Sequence, residues 1–528
     1  MQYSGTRKRF WWAASGVAAF AFCLILSVPA FAVEDVKVLR KQAANAMKAG
    51  EFAQAEEIYN QLLALNAKDQ KARLGLSYAL LKQRFWGGAF EQAAKVLQED
   101  RFSTRALALL GTTLLAKGEF RAANDAFQSA LLLDDNEPLA LAGLGMIEFY
   151  ENRLSNSVSL LRRAVALDND EPDFIFSLAQ AAARDEKFKE SADSFERFLR
   201  IAPKTDEDRR DRIRGLIGFL RYLGQRGRLY ANDGDTANVP LEMVTTRPVV
   251  NVRINGHKET QKFVFDTGSG MCVISEETAK RLGVKQIARG GKARAVGGDG
   301  KFEIVYGFLD SLSVGDVTIN NVPVYIRRFH GNSTQIDGYL GTSAIAKYVT
   351  TVDYAARFFS LSKKRKPGKN NAATTVELPM RTTSSGFISG EVQIEGVKKA
   401  LNFIIDTGAS ISVLSDKLAG TEEMGAFPEG ARMRVYGAAG VEDDVKTLIL
   451  PQLLVGTHSQ HGVNAAILDL DSINETTGFE QTGIIGGNFL YNYRVTFDFK
   501  RGILRLETQN GGGNGPAPGP SSTVALRQ

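Results

Sequence analysis

Two stretches decide how this chain is read: KFVFDTGSGMCVIS, from Lys262 to Ser275, and NFIIDTGASISVLS, from Asn402 to Ser415. Each runs apolar residues into an aspartate, turns at Asp-Thr-Gly, and leaves through a short strand-like run. Taken alone, Asp-Thr-Gly reads as a turn, because Asp and Gly both favour one. The competing reading makes Asp266 and Asp406 two halves of one site.

The surroundings favour the second reading. Gly256 and Gly396, Asp266 and Asp406, Ser275 and Ser415, and Gly297 and Gly437 all pair at an offset of 140 residues. Further on the offset becomes 145: YLGTSAIAKYVTTVDYAARFFSLS from Tyr339 lies over IIGGNFLYNYRVTFDFKRGILRLE from Ile484, pairing Gly341 with Gly486 and Asp353 with Asp498. One module of about 120 residues therefore occurs twice, and from about Pro240 its pattern is β: short β-branched runs broken by Asn-Gly, Gly-Asp and Gly-Gly.

The module resembles the aspartic proteases in their small retropepsin-like form. The residues that carry the resemblance are Val264 to Ser269, Gly297 to Gly300 and Tyr339 to Gly341 in the first copy. In the second they are Ile404 to Ala409, Gly437 to Gly440 and Ile484 to Gly486. The resemblance spans about Pro240 to Glu507 and implies two all-β barrel modules forming a pseudo-dimer. It further implies that Asp266 and Asp406 are catalytic, with Thr267 and Thr407 bracing the two loops by crossed hydroxyl bonds. Gly268 and Gly408 would permit tight backbone approach, and Gly341 and Gly486 would let a strand pack against each aspartate loop. Gly297, Gly298 and Gly437 would belong to flaps that close over an extended peptide. Tyr436 either touches that peptide or packs as an aromatic at the flap base. The copies differ: YLGTSA departs further from the family pattern than IIGGNF, and LDLDSINETTGFEQ is longer than its counterpart RRFHGNSTQ. Such differences would make the cleft asymmetric or leave one copy competent.

The chemistry fits this residue pair. Hydrolysing an amide without metal or covalent nucleophile needs a base for water and an acid for the carbonyl oxygen. Two carboxyls at short range cannot both ionise, so one keeps a proton and the other takes one. They titrate as a pair, and the sequence assigns neither role to either residue.

From Val33 to about Gln225 apolar residues recur at helical spacing. Leu110-Gly111, Leu144-Gly145 and Leu178-Ala179 are spaced by 34 residues, as are Pro138 and Pro172. This resembles the tetratricopeptide repeat, in about five copies with a capping helix near Asp206 to Leu223, and implies a solenoid that docks a peptide or protein. The copy around RFWGGAFEQAA reads as irregular, with extra residues. Ahead of the repeats, Arg7, Lys8 and Arg9 precede an uncharged run from Phe10 to Val28, and Ala30-Phe31-Ala32 has the form of a cleavage site. The alternative is an uncleaved anchor. Either way the bulk is expected in the periplasm or outside the cell.

The expected organisation is thus multidomain: residues 1–32 a signal peptide, 33–228 an all-α solenoid, 229–245 a linker, 246–363 the first module, 364–380 a second linker, 381–508 the second module and 509–528 a disordered tail. A net charge of +6 over 528 residues is too mild to argue for nucleic acid. Of two cysteines, Cys23 lies in the signal; Cys272 stands where the second copy has Ser412, so it reads as a small packed strand residue. His458 and His461 are expected in a loop, no metal or other cofactor is expected, and HExxH, Walker A and Gly-x-Ser-x-Gly are absent. The function expected is an exported endopeptidase acting on polypeptide, with a further protein partner for the repeats and membrane contact only through an uncleaved N-terminus. Two alternatives are a non-catalytic periplasmic peptide-binding scaffold and a protein that cuts only itself, near Asn232 or Lys366.

Overall fold

The computed structural model describes residues 30–294, 301–329, 336–364, 374–508 and 523–525. The expected signal run, Gly297, Gly298 and Lys366 lie outside these residues. Among the described residues no helix is long and apolar enough to cross a membrane.

The chain forms two compact units, divided after Gln92. The first contains the helices Ala30–Ala49, Phe52–Leu65 and Gln70–Lys82, which meet through small buried side chains at Ala46, Ala55 and Ala79, and the first half of the helix Trp86–Glu99. The second opens with the helices Thr104–Ala116, Phe120–Leu133, Pro138–Tyr150, Leu154–Leu167, Pro172–Arg184, Phe188–Ile201 and Glu207–Leu223. Pro138 and Pro172 stand at the first turn of their helices, where a missing N–H costs nothing, and Glu137 and Glu171 cap them. Asp206 caps the last helix by accepting from Arg209 N at 2.8 Å.

The repeat around RFWGGAFEQAA is regular, contrary to the expectation. Each helical hairpin turns on a residue with positive φ, and these fall at Gly50, Arg84, Gly118, Asn152 and Glu186, 34 residues apart. The turn of this copy is at Arg84, and Gly87 and Gly88 sit inside the helix that follows.

The β region follows. In the first module, strand Gln261–Phe265 pairs antiparallel with Arg247–Ile254 and parallel with Gly338–Leu340, which runs antiparallel to Cys272–Ser275. The second module repeats this with Leu401–Ile405, Ile388–Ile394, Gly483–Ile485 and Ser412–Ser415. Ser275 and Ser415, which end equivalent strands, each cap the helix that follows by accepting from Thr278 N and Leu418 N.

A six-stranded sheet joins the modules, in the order 375–379, 503–508, 493–498, 349–353, 358–362 and 236–240. Its centre pairs one module with the other, Val349–Asp353 antiparallel to Tyr493–Asp498. Thr351 lies opposite Thr496 with hydroxyls 2.9 Å apart. These two residues are separated by the duplication offset of 145, so the local twofold passes between them. Beneath it Phe265 packs on Phe359 of its own module and on Phe497 of the other, at ring separations of 5.1 and 5.9 Å.

Both expected linkers are part of this architecture. Within 229–245, Ala231–Asp233 pairs with 318–320, Thr236–Pro240 with 358–362, and Glu242–Val244 with 247–249. Asn232, expected in an exposed linker, is in a strand. Within 364–380, Thr375–Pro379 pairs with 503–507. At the end of the chain Thr523–Ala525 lies parallel to Arg434–Tyr436, so the expected disordered tail contributes a strand. These segments sit on outer strands, where one neighbour suffices and Pro is tolerated, so their composition reads as loop.

Candidate active site

Each strand delivers its aspartate by a backbone bond to the neighbouring strand: Asp266 N donates to Leu340 O at 3.1 Å and Asp406 N to Ile485 O at 2.9 Å. Gly341 and Gly486 follow at once, where a side chain would collide. A Cβ on Gly341 would lie 2.5 Å from the Met271 carbonyl carbon, and one on Gly486 would strike Ile411. The loops then continue in parallel fashion, Thr342 N bonding Ser269 O and Gly487 N bonding Ala409 O.

The two loops meet. Thr267 N donates to Thr407 Oγ1 at 3.1 Å and Thr407 N to Thr267 Oγ1 at 3.0 Å. The hydroxyls donate onward, Thr267 to Ile405 O at 2.6 Å and Thr407 to Phe265 O at 2.7 Å. This reciprocal brace brings Asp266 and Asp406, 1% and 0% exposed, face to face. A Cβ on Gly268 would lie 2.5 Å from Asp406 Oδ2, and one on Gly408 2.5 Å from Asp266 Oδ1. Only glycine leaves room for a carboxyl from the opposite loop.

The carboxyls differ in their donors. Asp266 accepts from Gly268 N at 2.9 Å and from the Ser269 hydroxyl at 2.6 Å, one on each oxygen. Asp406 accepts from Gly408 N and Ala409 N, both on Oδ1. Its Oδ2 accepts no hydrogen bond among the described residues, and the Asp266 carboxyl lies across the loop contact from it. Burial, then the Asp266 charge, push the Asp406 carboxyl well above the usual carboxylate range. Burial raises Asp266 too, against the Ser269 hydroxyl, the neighbouring Asp406 carboxyl, the Gly268 N–H and the charge of buried Arg247. Donors on both oxygens of Asp266, against donors on one oxygen of Asp406, favour the charge on Asp266.

Gly437 sits in the tip of a hairpin formed by Met433–Tyr436 and Val441–Val445, its N–H bonded to Gly440 O at 2.8 Å. Tyr436 is half-buried at the end of that strand. Arg327 of the first module reaches this tip, donating to Ala438 O at 2.6 Å, and lies 3.9 Å from the ring centroid of Phe302 on the strand Lys301–Val314. Sequence reasoning missed Ser269, Arg247 and Arg327 as site groups. The Ser269/Ala409 difference is visible in the quoted stretches, whereas nothing local marks either arginine.

Cys272 is buried, accepts from Gly341 N at 3.4 Å, and has its thiol pushed up to about 12 by burial. Ser412 accepts the equivalent bond from Gly486 N at 3.1 Å, so the two are structural counterparts. His458 and His461 lie on the strand His458–Leu468, contrary to the loop expected. Three residues apart on a strand, they point to opposite faces. His458 is buried, with Nε2 3.1 Å from Leu506 O.

Residues 250–344 and 390–489 match the family model described as aspartyl protease, and residues 40–105, 109–172 and 144–205 match that of the tetratricopeptide repeat. The chain joins a region similar to tetratricopeptide repeats to two modules similar to aspartyl proteases. Among solved structures it is similar to an aspartic proteinase from Irpex lacteus, 15% identical, covering 52% of this chain and 98% of that one with a TM-score of 0.36. On the repeat side it is similar to a thermophilic tetratricopeptide-repeat protein from Thermus thermophilus, 16% identical, covering 35% of this chain and 99% of that one with a TM-score of 0.30. A comparison with the curated proteins found no match.

Repeat helices of the second unit lie against both protease-like modules. On the first, Phe219 stacks on Tyr306 at 4.4 Å, and Arg212 donates to Lys292 O at 3.0 Å. On the second, Phe479 packs against Phe120 and Tyr150, at 4.8 and 5.1 Å. Phe479 follows the helix Asp471–Thr477, which belongs to the longer inter-motif segment of the second copy. That extra length docks the repeats.

Proposed function

We propose that the chain is an exported aspartic endopeptidase in which Asp266 and Asp406 form the catalytic dyad. The observation that carries this reading is the buried pair of facing carboxyls, each on a loop whose glycine admits the other. Ionised Asp266 takes a proton from a water while protonated Asp406 donates one to the scissile carbonyl oxygen. The substrate is an extended polypeptide, paired along its backbone with the flap that contains Gly437 and Tyr436. The repeats dock that substrate or a further protein. Export rests on the basic-then-apolar N-terminal segment, which places the enzyme in the periplasm or outside the cell.

The test is digestion of a mixed peptide library, with products read by mass spectrometry. Asp266→Asn and Asp406→Asn should each lower cleavage by roughly a thousandfold or more. Unchanged cleavage in both variants would overturn the dyad; a wild-type chain that cleaves nothing would leave the peptide-binding scaffold; activity surviving in one variant would place the working site in a single copy. Sequencing the N-terminus of the same preparation checks export, with a start at Val33 expected.

A further inference from the structure

We infer that Arg184, the last residue of the repeat helix Pro172–Arg184, is a positioning residue for the Asp266 loop. The repeats are then part of the framework of the active site as well as a docking platform. This rests on the proposed endopeptidase reading.

The path is short. The Arg184 guanidinium lies 3.7 Å from the ring centroid of Phe149 and donates to three successive carbonyls of the second module: Thr382 O at 3.3 Å, Thr383 O, and Ser384 O at 3.2 Å. These carbonyls belong to a tight turn, closed by Gly386 N to Thr383 O at 3.0 Å and Thr383 N to Phe387 O at 2.9 Å.

The far side of the turn presses on the first module, four residues past its aspartate. A Cβ on Gly386 would lie 2.7 Å from Gly270 Cα, and one on Gly270 would strike Ser385 O. Thr342 Oγ1 donates to Gly386 O at 3.2 Å, and Ile388 N to Thr267 O at 3.4 Å. With backbone against backbone, a shift of the turn has no flexible side chain to absorb it and passes to the loop that aims Asp266.

The Asp406 loop is backed by a different turn. Thr245 and Thr246 meet it at Ser410, the counterpart of Gly270 at the 140 offset. That turn is closed by pairing of Val244 with Arg247 within the first module. Arg184 reaches only one of the two turns, so its loss should loosen one aspartate loop and spare the other. A mere tether between repeats and modules would not discriminate.

The test is hydrogen–deuterium exchange on the full chain, which needs no turnover. Arg184→Ala should raise exchange about tenfold in peptides covering 262–275 and leave those covering 402–415 unchanged. Arg184→Lys, which keeps a charge but reaches fewer carbonyls, should fall between. Arg212→Ala removes another contact between repeats and modules and should alter neither. With a cleavable peptide, Arg184→Ala should lower kcat about tenfold with KM within about twofold. No rise at 262–275 in either Arg184 variant, or an equal rise in both loops, would overturn the inference. A wild-type chain that cleaves nothing would overturn the proposed function instead, and the exchange result would still decide whether Arg184 holds the loop.

Discussion

At the scale of the residue, the two aspartates are distinguished by one hydroxyl. Ser269 donates to Asp266 at 2.6 Å, whereas the equivalent residue beside Asp406 is Ala409. A bond donated to an ionised carboxylate stabilises the charged form and lowers its proton affinity. Removing it acts the other way. Ser269→Ala should therefore move the acid limb of the kcat/KM profile to higher pH by about one unit, since a hydrogen bond to a charged group contributes ~1.5–3 kcal/mol and one unit is about 1.4. An unmoved acid limb would mean that Asp266 is not the ionised partner. The residue types at this site are legible in the quoted stretches. The location of the proton is not, because it depends on which oxygens the donors reach.

At the scale of the element, the helical hairpins share a left-handed turn residue whose identity varies more than its position. Arg84 holds φ at +64° where other copies use Gly50 or Gly118. A side chain in that conformation costs roughly 1 kcal/mol, which glycine avoids at some expense in chain entropy. Arg84→Gly should stabilise the chain by about 0.5–1 kcal/mol, read as a raised thermal midpoint; a lowered one would show that the Arg84 side chain contributes more than its backbone costs. Helix periodicity survives in sequence because one face of each helix is buried. The outer strands at 231–244 and 375–379 escape because pairing on one side imposes little on composition. TANVP and TVELP alternate polar and apolar residues over only four positions before a Pro, too short a run to separate them from loop.

At the scale of the whole molecule, the site exists only because the two modules share a sheet and a core. Phe497 of the second module is fully buried against Phe265, the residue that precedes Asp266. Phe497→Ala should cost about 3–5 kcal/mol in urea unfolding. It should also reduce peptide cleavage, since the void opens under the Asp266 strand; retained stability would mean that the modules do not depend on this shared core.

By itself the sequence determined the repeat period, the duplication and both Asp-Thr-Gly loops, all of which follow from local patterns repeated at a constant offset. The tertiary structure alone decided three things: that Thr351 meets Thr496 across the module boundary, that Asp266 has a donor on each oxygen while Asp406 has donors on one, and that Arg184 reaches the turn behind Asp266. Each depends on groups far apart in the chain, whose meeting is set by packing and by close approach of backbone to backbone, and no short stretch of residues encodes that.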